Sequence, residues 1–586
     1  MTCEYRPVLC AALLCLSATT AWAGQPTPVP LRIEIMPRAV GQGQGNLDIR
    51  LTFSRFPSQS PDAPVLALPL IDSNVDSMAP DIRALKAVDG AGAVQLAAGT
   101  GDMPEESDRD SEIGGPSMLW RANRSISGPL TITYTVPAHA TRPPRGPAPP
   151  IGFYEADGAT SGAASMILPL PLHAGPYSVT LQWKGTDKSG TARHVTSLGA
   201  ASDRLPVIMT RADLYTTYMM SGRISTWIPT GPDHDFTGAW QGTPGFDAAS
   251  LMHWASDLHE HYKIFFGQTA AQPYTVFLRY NPINAGGGVG LYHSFVETYG
   301  AGAGSDPDEL RLTLAHEMFH TFSPYITRPT GLLSSWFGEG LAVFYQAALP
   351  LRFHQIPAEL FLRSLNFAAA RYYTNIFKTL PNSRIPDLFW KDTRVRTLPY
   401  DRGMLYFATV DDEMRRATHG RQSLDTLVLA MLKRSQAGQA LSNEDWADLL
   451  RQTLGEESVR RFRAFLDGAE PVPASGAFGP CFARYTTTLR RYELGFEPAV
   501  LAEPHRVVRG LIPHSAAEQA GIRNGDIITV PVPQDQIQGE QNMKLTLKIR
   551  RNGQVFNIAY LPRGEAVEVY QWRKITTAPG TVCALE

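Results

Sequence analysis

The chain has 586 residues, 43% of them hydrophobic and 18% charged, with a formal net charge of -2. That length allows three to four domains at ~150 residues each, and the composition is that of an ordinary water-soluble chain with several cores. The near-neutral balance excludes strong attraction to nucleic acid or to an acidic membrane surface.

The first segment reads as an export signal. Arg6 precedes the short apolar run Val8–Leu16, and Ala21-Trp22-Ala23 is a small-x-small cleavage pattern. Residues 1–23 are therefore expected to leave as a signal peptide, giving an exported, periplasmic or secreted, mature chain. No later apolar run is long enough to span a bilayer. Cys3, Cys10 and Cys15 depart with the leader, and Cys481 and Cys583 remain as an even pair in an oxidising compartment. They are candidates for a disulfide clasping the C-terminal region; two buried free thiols are the alternative.

From Val29 to about Leu198 the chain reads as strands. Leu31–Ile35, Leu47–Phe53, Leu130–Thr135 and Tyr177–Trp183 alternate apolar and polar residues, which predicts an antiparallel β-sandwich over residues 24–200. The acidic stretch Asp102–Glu112 is expected to be a solvated loop rather than a calcium site, and the Pro-rich Arg142–Pro150 an exposed, stiff loop. From roughly Asp233 the pattern turns helical, with a helix over Phe246–Phe266, a strand over Tyr274–Tyr280 and a second strand over Leu291–Tyr299. Helices then continue to about Leu466. The stretch 483–563 is strand-rich, with Asn552-Gly553 as a hairpin turn between Leu545–Arg550 and Val555–Tyr560.

Within the helical part stands His316-Glu317-Met318-Phe319-His320, an HExxH motif, with Glu339 after 18 intervening residues. Residues four apart share a helix face, so both imidazoles can reach one metal ion. Ser305 or Asp306 can cap this helix, Pro307 suits its first turn, Glu309 stands where a capping box wants it, and Pro324 stops the helix near Ser323. A second helix should start near Ser334 or Ser335 and bring in Glu339. Two histidines and a carboxylate leave one coordination position open, which is the pattern of a catalytic zinc site with one Zn2+. Glu317 is then the general base that takes a proton from zinc-bound water. An unpaired carboxylate in the apolar setting Trp336–Ala342 would be costly, and coordination satisfies it.

These residues resemble the gluzincin zinc metallopeptidases, and the arrangement is most similar to the glycyl aminopeptidase family over nearly the whole mature chain. Trp336–Phe344 is similar to its W-x-x-E-G segment and Pro399–Gly403 to its Y-x-x-G segment. Arg415–Asp425 resembles its R-x-x-T-x-G-x-x-S-L-D stretch. The resemblance implies an α+β multidomain chain: an N-terminal β-sandwich domain (24–200), a thermolysin-like, mainly helical metallopeptidase domain (201–475) and a C-terminal PDZ domain with an extension (476–586). It gives Tyr400 the role of oxyanion donor, which a phenol protonated at neutral pH can fill. In the PDZ-like part, Leu494-Gly495-Phe496 resembles the carboxylate-binding loop and Ala516–Ile528 the segment that follows. The implied partners are a peptide or protein substrate and a C-terminal peptide captured by strand addition.

The sequence departs from the family at the segment that faces substrate. The family has G-G-L-E-H there, whose glutamate holds the substrate's free amine. Aligning Gly290, Leu291, Tyr292 and His293 to G-L-E-H makes Gly290, Leu291 and Tyr292 the substrate-binding candidates and puts a tyrosine at the glutamate's place. Glu297 is the candidate substitute. A second departure is Thr321-Phe322-Ser323 where the family tends to have W-N. The expected function is peptide-bond hydrolysis, with aminopeptidase and endopeptidase action both open. The alternative is a PDZ-based peptide-binding or quality-control scaffold with weak or no peptidase activity.

Overall fold

The computed structural model describes residues 27–38, 45–57, 63–107, 112–145, 148–173, 175–184, 193–230, 235–268, 272–283, 285–300, 304–532 and 534–585. The expected signal peptide, with Cys3, Cys10 and Cys15, lies outside them. Among the described residues no helix is long and apolar enough to cross a membrane.

The alternating segments at the N-terminus form the strands they predict. Val29–Arg38, Asn46–Phe53 and Leu130–Pro137 lie side by side in a seven-stranded sheet, their apolar positions buried on one face. Five- and three-stranded sheets close over the same apolar core. Two expectations change. Val29–Arg38 pairs with Tyr177–Trp183 in parallel, so the assembly is not purely antiparallel. The strands Val207–Met209 and Tyr218–Gly222 also join these sheets, which carries the N-terminal unit past residue 200. Within the acidic stretch expected as a solvated loop, 102–107 and Glu112 are strand, since Leu96–Ser107 and Glu112–Ala122 pair as a long hairpin, while 108–111 lie outside the described residues. Acidic and glycine residues have low strand propensity, so the ladder is set there by the partner strand.

The second unit is built on a five-stranded sheet of β1 (Ile224–Trp227), β2 (Phe236–Gln241), β3 (Tyr274–Tyr280), β4 (Gly288–Leu291) and β5 (Ser294–Tyr299), in the order β1-β2-β3-β5-β4. The middle three run parallel, and β4 is an antiparallel edge. Each face meets a different core. Ala239, Phe277 and Val296 belong to the N-terminal core, whereas Val276, Leu278, Phe295 and Tyr299 belong to the helical one. The expected single strand over Leu291–Tyr299 is broken at Tyr292-His293, where His293 turns the chain at φ 45°.

Helix α1 (Ala248–Phe265), capped by Asp247, connects β2 to β3. Helix α2 (Pro307–Phe322) follows β5, with Asp306 as its cap and Ser323 at its end. Helix α3 (Ser335–Arg352) returns beside it. Next come α4 (Ala358–Tyr373), the single turn α5 (Thr393–Arg396) and α6 (Leu398–Thr418). The last helix of this unit ends at Leu466, where the sequence pattern places it.

The C-terminal region is carried on two long antiparallel strands, Phe482–Tyr492 and Arg563–Lys574. Between them residues 493–562 enclose a small core of their own. Leu545–Arg551 and Gln554–Tyr560 form the predicted hairpin, with Asn552 and Gly553 both at positive φ. A short helix, α7 (Gln534–Gly539), leaves this unit and lies against the helical one. The Cys481–Cys583 disulfide is present and ties the tail to the start of the first long strand.

Candidate metal centre

The helix α2 exists because its ends are marked and one face is apolar. Leu310, Leu314, Met318 and Phe319 bury that face. The same periodicity leaves His316 and His320 on the adjoining face. Their Nε2 atoms are 3.3 Å apart. Glu339, in the second turn of α3, brings its Oε2 to 3.2 Å from His316 and 3.4 Å from His320. Three atoms so spaced leave a point about 2 Å from each, the bond length zinc takes to nitrogen and oxygen. The donor set fits one zinc ion. Burial alone would push the Glu339 carboxyl up, but the hydrogen bonds and charge of the two imidazoles hold it well below the usual carboxylate range.

A support behind the ligands is absent from the sequence reading. His316 donates from Nδ1 to Gln346 Oε1 at 3.0 Å, and the Gln346 amide in turn donates to Ser364 Oγ at 3.3 Å. The first bond fixes the tautomer that leaves Nε2 bare for a metal. Gln346 sits seven residues after Glu339, two turns along the same face of α3, and that spacing was the available signal. Tyr325 adds a further brace, its hydroxyl donating to the His320 carbonyl at 3.1 Å.

Glu317 and Tyr400 border the same space. Tyr400 opens α6 and lies parallel to the His316 ring, with centroids 6.0 Å apart. Burial above all, and then the Glu339 and Glu317 carboxylates, push its phenol well above the ordinary tyrosine range, so it stays a hydrogen-bond donor.

The substrate-binding candidates separate. Gly290 is on the edge strand, and a Cβ added to it would lie 3.4 Å from Glu317 Oε2. Leu291 is the last residue of that strand and packs toward the N-terminal core. Tyr292 is in the turn; its amide donates to the Thr216 carbonyl and its ring meets the N-terminal core and His293. The residue facing Glu317 is therefore Gly290, not Tyr292. The register follows from Gly290 pairing with Phe295 and Gly288 with Glu297, which the linear alignment could not show. Glu297 is 1% exposed, and its Oε2 has no hydrogen-bond partner among the described residues. That oxygen fills the space a side chain on Gly288 would need, 3.1 Å from the Cβ position. Burial first, and then the neighbouring Glu317, push its carboxyl well above the usual range.

A second cluster, Asp235, His259 and Glu260, has metal-like spacing. It already holds a cation: Lys263 Nζ lies 2.9 Å from Asp235 and 3.1 Å from Glu260. In the C-terminal unit, the Leu494 and Phe496 side chains are buried in the local core, and the Leu494 carbonyl accepts from Tyr560. The chain after this turn forms a 3-10 helix, Pro498–Ala502, rather than a strand. Peptide addition beside the turn therefore lacks the extended edge it would require.

This architecture has counterparts among solved structures. A crystal structure of an aminopeptidase N family protein from Idiomarina loihiensis matches with a TM-score of 0.63 at 13% identity, over 93% of this chain and 98% of that one. The two share a fold. An M1 zinc metallopeptidase from Deinococcus radiodurans gives a TM-score of 0.43 at 14% identity, over 76% of this chain and 96% of that one. Native yeast LTA4 hydrolase gives 0.43 at 12% identity, over 76% and 68%. No family model and no curated protein matches the chain. The shared fold is mixed α+β and multidomain; in this chain the HExxH helix and the Glu339 helix lie side by side next to the sheet.

Proposed function

We propose that the chain is a zinc-dependent peptidase that works on peptides with a free N-terminus. The observation that carries this reading is the convergence of His316, His320 and Glu339 on one point, with Glu317 and Tyr400 bordering it. A zinc ion held there would supply Lewis-acid polarisation and lower the pKa of water from ~15.7 toward ~7. Glu317 accepts the proton of the attacking water and returns it to the leaving amine. Tyr400 donates to the carbonyl oxygen as that oxygen gains charge. The free edge of β4 offers backbone groups to an extended substrate, and its glycines keep the approach to Glu317 open.

Glu297 supports the exopeptidase half of the reading. A buried carboxyl with one oxygen unpartnered, beside a second carboxylate, is expensive to ionise unless a cation joins it. The α-ammonium of an unblocked peptide has the required charge and donors. The aminopeptidase named among the structures with this fold agrees with that choice.

We also propose export and an oxidising compartment for the mature chain, on the leader pattern and the Cys481–Cys583 bond. A PDZ-type C-terminal unit fits the sequence resemblance, and in this reading its task is docking on the catalytic unit rather than strand addition at Leu494–Phe496.

The test compares a free-amine peptide with its N-acetylated form in the wild type, Glu317→Gln and Glu297→Gln. Glu317→Gln should retain zinc and lose at least about a hundredfold in kcat. Acetylation should cost the wild type a similar factor and cost Glu297→Gln far less. A Glu317→Gln variant of full zinc-dependent activity would sink the mechanism. Equal cleavage of both peptides by the wild type would remove the exopeptidase half and leave an endopeptidase.

A further inference from the structure

The N-terminus of α6, where Tyr400 sits, is held by a ring of two arginines and two aspartates. Arg371 on α4 donates two bonds of 2.7 Å to Asp401, the residue after Tyr400. Arg396 closes α5 and is separated from α6 by Thr397 alone. It donates to Asp535 at 2.8 Å, and Thr393 Oγ1 donates to the same carboxylate. Arg371 Nη1 also reaches the Asp535 carbonyl at 3.4 Å. Three members of this ring belong to the catalytic unit, whereas Asp535 arrives on α7 from the C-terminal unit.

The docking of α7 is specific on every side. Gln538 donates to Thr393 Oγ1 at 3.1 Å, and Gln536 donates to Glu309 at the first turn of the metal helix, also at 3.1 Å. Gly539 lies so close to Phe367 that an added Cβ would stand 2.5 Å from the ring. Arg371 and Asp401 are nearly closed off from solvent, with side chains 11% and 1% exposed. Arg396 is 16% exposed and Asp535 46%, so this pair borders open space. Both lie within electrostatic reach of the Tyr400 phenol. Without Asp535, Arg396 is a largely enclosed cation whose carboxylate is gone, and a single-turn helix loses its far anchor.

We propose that Asp535 is a positioning residue of the catalytic centre, supplied in cis by the C-terminal unit, which fixes Arg396 and through α5 the aim of Tyr400. The site is then incomplete without that unit. The proposal rests on the peptidase reading: an inactive wild type would sink that reading, whereas an active wild type with an indifferent Asp535 sinks this one alone.

Asp535→Asn keeps the shape and removes the charge. Measured on the peptide the wild type cleaves fastest, it should lower kcat about tenfold at unchanged KM and zinc content. In a Tyr400→Phe background the same substitution should cause no further loss, since its effect runs through Tyr400. Lys544→Ala, exposed in the C-terminal unit and outside both the ring and the docking of α7, should stay within twofold of wild type. If Asp535→Asn unfolds, Arg396→Lys, which keeps the charge and loses the planar fork, should show the same Tyr400-dependent loss in smaller size. A tenfold loss that repeats in Tyr400→Phe, a kcat within twofold in Asp535→Asn, or an equal loss in Lys544→Ala overturns the proposal.

Discussion

Gln346 shows how much a single amide behind a ligand can control. It accepts from His316 Nδ1, and its own nitrogen is held by Ser364, so the ring that faces the metal is fixed in angle and tautomer. Gln346→Leu keeps the volume and removes the acceptor. Zinc affinity should fall by about 10–100-fold, read by chelator competition, while the zinc-saturated enzyme keeps most of its kcat. An unchanged affinity would mean that the ring is held by packing alone. Residue identity alone does not mark such a position, because a glutamine on a buried helix is common. HExxH, in contrast, declares itself: two imidazoles four apart on a capped helix have few other uses. Glu309 illustrates the reverse error. Its place three residues past the cap predicts a capping box, yet its carboxylate accepts from Gln536 of the C-terminal unit instead. A long-range donor outcompetes a local one once the two units dock.

Helices α3 and α6 cross at two glycines, and the crossing sets the site. A Cβ on Gly403 would stand 2.6 Å from the Trp336 carbonyl and 2.7 Å from Gly340 Cα. Both neighbours are backbone, so neither can move aside as a side-chain tip would. Glu339 precedes one glycine by a single residue, and Tyr400 precedes the other by three. Gly403→Ala should therefore lower stability by about 1–3 kcal/mol, as overpacking does, and reduce kcat by separating Tyr400 from the metal ligands. Thermal unfolding and kcat together check this; a loss of stability with full kcat would show that the crossing does not aim Tyr400. The small residues of the Trp336–Ala342 segment are visible in sequence. The close helix approach they permit is visible only with α6 in place. Strand β4 makes the same point. Its glycines can be read from the chain, but the turn at His293 and the pairing with β5 decide that Gly290 faces Glu317. Pairing register turns a whole set of side chains from one face to the other, and no local propensity fixes it.

At the scale of the whole molecule, the C-terminal region is bound to the helical unit by polar links and closed on itself by a disulfide. The disulfide joins residues 102 apart, and beside it Arg352 Nε donates to the Leu585 carbonyl at 2.7 Å. Closing a loop of about 100 residues in the unfolded chain is worth roughly 4–5 kcal/mol in the chain-entropy model. Cys583→Ser should lower the melting temperature relative to the oxidised wild type, and added reductant should have no further effect on the variant. A melting temperature equal to that of the oxidised wild type would show that the tail contributes nothing to global stability.

The sequence by itself determined the elements and the chemistry that depends on short spacings. These include the alternating strands, the capped α2 with its HExxH, the second helix bearing Glu339, and the Asn552-Gly553 hairpin. Each is specified within a turn or two of chain, where capping, period and turn geometry act. The sequence also carried Glu339 and Tyr400, through spacing and resemblance rather than through any local preference. Only the tertiary structure decided that Gly290 rather than Tyr292 faces Glu317, that Glu297 is left as a buried carboxyl behind it, and that Asp535 reaches the helical unit. Those outcomes depend on strand register and on the docking of two separately folded cores. Both are set by contacts between residues far apart in the chain, which no window of sequence contains.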